Sequence, residues 1–64
     1  MTLKEFIIEK IGSVATLASI MGMTPQNLYR KIRQPETMSI ADVRDMAKVL
    51  GTTSEHILKL CSPN

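Results

Sequence analysis

The stretch Gly22–Glu36, GMTPQNLYRKIRQPE, decides how this 64-residue chain is read. Thr24 followed by Pro25 is helix-initiation chemistry: a hydroxyl that accepts from a free N–H, then a proline where the missing N–H costs nothing. Pro35 disfavours a helical Gln34 and ends the segment. Between these signals only Leu28 and Ile32, four residues apart, offer aliphatic side chains to an interior. At the 3.6-residue period Gln26, Asn27, Arg30 and Arg33 fall on the opposite arc, with Tyr29 and Lys31 on its flanks. A helix held by so thin an apolar edge exposes most of its circumference, which is what entry into a groove of another molecule requires.

Similar punctuation divides the rest of the chain. Thr2 to Glu5, Ser39 to Asp42 and Thr52 to Glu55 each set a hydroxyl three residues before a carboxylate, the reciprocal arrangement that satisfies the free N–H groups of a helix start. Ser13 can cap one more helix, and Gly12, Gly22 and Gly51 suit the left-handed positions that end helices. Each segment so delimited has one apolar face: Leu3, Phe6, Ile7 and Ile11 in the first, then Val14, Leu17, Ala18 and Met21. The fourth offers Ile40, Val43, Met46, Ala47 and Leu50, and the fifth Ile57, Leu58 and Cys61. No period of two is present, so strands are not expected. The pattern predicts an all-α, compact five-helix domain spanning 1–64, with the QPETM stretch as its longest break.

Composition limits what such a domain does. Sixty-four residues leave room for one core and no separate catalytic lobe. Phe6 and Tyr29 are the only aromatic residues, so the core must be aliphatic and methionine-rich. A single cysteine, Cys61, excludes an internal disulfide and a cysteine-based zinc site within one chain. His56 has no partner at ligand spacing and is read as a surface residue. No nucleophile with a base, paired acids or glycine-rich phosphate loop is visible, so no enzyme activity, cofactor or small-molecule substrate is expected. The most apolar run, VATLASIMGM, is far shorter than the ~20 residues of a membrane span. Lys4, Glu5, Glu9 and Lys10 interrupt the region where a signal peptide would be apolar. A cytoplasmic location with no membrane partner is the expectation.

The net charge of +2 is unevenly placed. Residues 1–23 balance Lys4 and Lys10 against Glu5 and Glu9. Residues 24–35 hold Arg30, Lys31 and Arg33 with no acid, and residues 36–64 hold three bases against four acids. The excess therefore sits on the helix with the fewest apolar residues. Double-stranded DNA suits it: the major groove accepts one α-helix, and Gln and Asn amides and the Arg guanidinium match the donors and acceptors of base edges in bidentate fashion. Gln26 and Asn27 in the first turn, with Arg30 one turn on, are the candidate base contacts. Thr24, Tyr29, Lys31 and Arg33 are candidate phosphate contacts.

The segment VATLASIMGMTPQNLYRKIR, with SIADVRDMAKVLG beyond it, resembles the helix-turn-helix domains of phage Cro and C1-type repressors. The likeness rests on Leu17-Ala18, on Gly22 four residues after that alanine, on Met23, on Leu28 as first core position of the third helix, and on the MAKVLG ending at 46–51. Ala18 is small enough for two helices to cross closely, and Gly22 supplies the turn between them. The resemblance implies a five-helix fold and a recognition helix at 24–33. It carries base contacts to Gln26, Asn27 and Arg30, and phosphate contacts to Ser13, Thr24, Arg33 and Ser39. Two features depart from that family. Lys31 stands where a second apolar core residue is usual, and the usual basic loop is replaced by QPETM, whose Glu36 would repel phosphate.

The function this implies is a sequence-specific transcriptional regulator that occupies a palindromic operator. A helical protein-interaction module, antitoxin-like, that keeps the fold is the alternative. The two differ in what the third helix offers, because a protein partner is better served by aromatic or aliphatic anchors. Ile8, Ile20, Val49 and Leu60 fall outside the apolar arcs of their helices. A homodimer through the C-terminal region, centred on Val49 and Leu60, is expected, since a two-fold pair spaces its recognition helices by about 34 Å.

Overall fold

Residues 1–61 are described by the computed structural model. Five helices follow one another: α1 (Leu3–Ile11), α2 (Val14–Ile20), α3 (Pro25–Arg33), α4 (Ile40–Leu50) and α5 (Ser54–Cys61). A 3-10 turn, Pro35–Thr37, bridges α3 and α4. The all-α, five-helix reading agrees with the structure, and the QPETM break takes its shape from that turn.

Hydroxyl caps start the helices where the side chains reach back over the first turn. Thr2 Oγ1 accepts from the Glu5 N–H at 3.1 Å while Glu5 Oε1 accepts from the Thr2 N–H at 2.8 Å. Ser39 and Asp42 repeat the exchange at α4, both bonds being 3.0 Å. In α5 the register differs by one residue from the expected start. Thr53 caps the helix by accepting from the His56 N–H, which leaves the Thr52 hydroxyl to bond His56 Nδ1 at 2.8 Å. Between α2 and α3 the chain reverses through Gly22 at φ +74°: Gly22 N–H returns to the Ser19 carbonyl and Met23 N–H to that of Ala18. This pair of bonds satisfies carbonyls that the helix end would otherwise strand.

One core unites all five helices. Leu3, Phe6, Ile7, Val14, Leu17, Ala18, Leu28, Val43, Met46, Ala47, Leu50 and Ile57 are buried together. Consecutive helices pack in pairs, α1 on α2, α2 on α3 and α4 on α5, and α4 closes against α1 and α2. Ala18 has no exposed surface, in keeping with a close α2–α3 crossing.

Three sequence-based assignments need correction. Ile40 and Leu58 were expected to face the core but are 78% and 58% exposed. Val49 and Leu60, expected at the surface, are half-buried against the core, Leu60 because α5 turns its Ile57–Leu60–Cys61 side inward. His56 is half-buried rather than superficial, its ring edge-on to Phe6 at 5.0 Å between centroids.

Candidate nucleic-acid interface

α3 is anchored as its sequence suggests. Leu28 is fully buried and Ile32 half-buried, and the Thr24 cap, accepting from the Asn27 N–H at 3.2 Å, sets the first turn. Because Thr24 Oγ1 spends only acceptor capacity on the cap, its O–H remains free to donate. Gln26, Arg30 and Arg33 are exposed on the opposite side. No acid lies on α3, and no base of this arc forms an ion pair among the described residues.

Asn27 departs from the expected arrangement. It is half-buried on the shoulder of the helix, and its Oδ1 accepts from Arg30 Nη2 at 2.5 Å. The outward arc is therefore Gln26, Arg30 and Arg33, with Asn27 fastened to the arginine between them.

Lys31 also lies elsewhere than expected. Read as a phosphate contact, its ammonium instead meets Asp42 Oδ2 of α4 at 2.6 Å, the two side chains being 16% and 17% exposed. The same Oδ2 accepts from the Ser39 N–H. Lys31 thus occupies a half-buried position, and Asp42 neutralises it there. The Lys31 ammonium, then the Ser39 N–H, hold the Asp42 carboxyl below the usual carboxylate range.

The remaining phosphate candidates differ in exposure and in the partners they already have. Tyr29 is 37% exposed, and Lys4 Nζ of α1 sits 5.8 Å from its ring centroid. Lys4 thereby joins the basic surface beside α3, a neighbourhood that a separation of 25 positions in the sequence conceals. Ser13 is half-buried and caps α2, its Oγ accepting from the Thr16 N–H and lying 2.9 Å from Thr16 Oγ1. Ser39 is exposed, but the Asp42 carboxylate stands directly beside it.

A second surface feature lies between α4, α5 and the 3-10 turn. An open groove of about 300 Å³ is lined by apolar Pro35, Met38, Ile40, Val43 and Leu58 together with Arg44 and Cys61. Burial pushes the Cys61 thiol above its ordinary pKa, which disfavours the thiolate. Among the described residues no helix is long and apolar enough to cross a membrane.

Comparison with known proteins yields no match to a family model, to a curated protein or to a solved structure.

Proposed function

We propose that this protein is a sequence-specific DNA-binding regulator of Cro or repressor type, cytoplasmic, which inserts α3 into the major groove of an operator and blocks access to it. The observation that carries this reading is the composition of α3's exposed arc. Gln26, Arg30 and Arg33 project from a helix pinned by Leu28, with no acid on the helix and no apolar anchor among them. Amide and guanidinium tips match base edges, and the surplus positive charge suits phosphate. Thr24, Tyr29 and Lys4 stand beside the arc as further phosphate donors, with Ser13 at the α2 start.

A homodimer on a palindromic operator is part of the proposal, and its contact belongs at Ile40 and Leu58 rather than at Val49 and Leu60. An isologous interface needs a surface complementary to itself. Here two projecting aliphatic side chains border an apolar groove on the same face.

Selection of bound duplexes from a random DNA library at two salt concentrations tests the function. A palindromic consensus is expected, and Arg30→Ala should weaken consensus binding by about 1–3 kcal/mol. Binding that is indifferent to salt and to Arg30 defeats the proposal.

A further inference from the structure

Arg30 and Asn27 form one unit on the exposed side of α3. Arg30 Nη2 donates to Asn27 Oδ1 at 2.5 Å, and Asn27 is half-buried whereas Arg30 is exposed. An asparagine that reads adenine presents both its carbonyl oxygen and its amide N–H to the base. In Asn27 the carbonyl oxygen is already held by a neighbour on its own helix. Gln26, by contrast, is exposed and makes no side-chain hydrogen bond among the described residues.

The guanidinium loses nothing needed for a base. Nη2 carries two N–H groups, one on the edge it shares with Nη1 and one on the edge it shares with Nε. Whichever of them Asn27 engages, the other edge keeps two parallel donors, the fork that fits guanine O6 and N7. A long side chain free in solution gives up rotamer freedom when it binds. Holding Arg30 beforehand removes part of that cost and directs the fork to one base.

Resting on the DNA-binding reading, we propose that Asn27 is a positioning residue that fixes Arg30 on a single guanine in each half-site, and that Gln26 is the amide that reads a neighbouring base. Asn27 is then a determinant of specificity without a base of its own.

The test is selection from a random duplex library with wild type, Asn27→Ala, Asn27→Asp, Arg30→Ala and the Asn27→Ala/Arg30→Ala pair, each checked for unchanged helicity by circular dichroism. Wild type should prefer guanine at one half-site position, and Arg30→Ala should abolish that preference. Asn27→Ala should reduce it at the same position by about 2- to 12-fold, the range for freeing one rotamer-rich side chain. The pair should be no worse than Arg30→Ala alone. Asn27→Asp keeps the acceptor, so it should retain the guanine preference while binding all duplexes more weakly. Relaxation at a second base position in Asn27→Ala, or additive losses in the pair, overturns the inference while leaving DNA binding intact. If wild type selects no sequence at all, the functional reading itself fails and the positioning role falls with it.

Discussion

Lys31 and Asp42 meet across the α3–α4 junction at 2.6 Å, and the same carboxylate oxygen closes the cap of α4 through the Ser39 N–H. The roll of α3 about its axis is thus coupled to the start of α4 by a polar contact. Lys31 is engaged within the protein, and the outward charge of α3 rests on Arg30 and Arg33, which is where the proposed DNA contact would find it.

Lys31→Ala should therefore leave the salt dependence of DNA binding unchanged, whereas Arg33→Ala should flatten the slope by about 1. Titration of a consensus duplex over a range of salt separates the two. A flattened slope in Lys31→Ala would mean that the ammonium leaves Asp42 for a phosphate in the complex.

The two partners should differ in what their removal does to the fold. Without Lys31, Asp42 keeps the Ser39 N–H; without Asp42, a mostly buried ammonium has no partner and α4 loses its capping box. Asp42→Ala should cost about 1–3 kcal/mol and Lys31→Ala less, measured by urea unfolding.

Acid should act through the same carboxylate. The folded-state pKa of Asp42 is depressed, so as pH falls the unfolded chain, with its Asp near 3.9, takes up the proton first. Its contribution is complete above that value and is lost as pH drops through the lower folded pKa. Glu5, depressed by its bonds to Thr2, acts in the same direction. Asp42→Asn should show a shallower loss of stability below about pH 4 than wild type, with the Glu5 share remaining. Equal slopes in both proteins would exclude the Asp42 contribution.

Gly22 should tolerate asparagine better than alanine. At φ +74° a Cβ would meet nothing within 4 Å, so the penalty is backbone strain alone. Gly22→Ala is expected to cost about 1–2 kcal/mol, a drop of roughly 4–16 °C in Tm for a domain of this size, and Gly22→Asn less.

Self-association should respond to Leu58 and the fold to Leu60. Leu58→Glu is expected to give a helical monomer in sedimentation whose unfolding midpoint no longer rises with protein concentration. Leu60→Ala and Val49→Ala, half-buried against the core, should instead lower stability by about 1–3 kcal/mol. Loss of association in Val49→Ala at full stability would restore those residues to the interface.

Much of this architecture is written locally. Thr2, Ser13, Thr24 and Ser39 cap helices at the positions their spacing suggests, since a cap is a contact across three residues. Gly12, Gly22 and Gly51 all take positive φ. The helical period also selects most of the core, because burial on one face repeats with the turn. It failed at Ile40, Val49, Leu58 and Leu60. Whether a side chain at the edge of a helical face meets protein depends on which other element comes to lie against it, and no local signal reports that.

By itself the chain determined five helices, all their starts but that of α5, and a third helix whose outer arc is polar and basic, all consequences of interactions within one or two turns. Tertiary structure alone decided that Lys31 turns to Asp42, that Lys4 stands over Tyr29 and that the exposed aliphatic pair is Ile40 and Leu58. Those outcomes depend on which helices come to rest side by side, a matter of filling one shared core, so they appear only once the helices are packed.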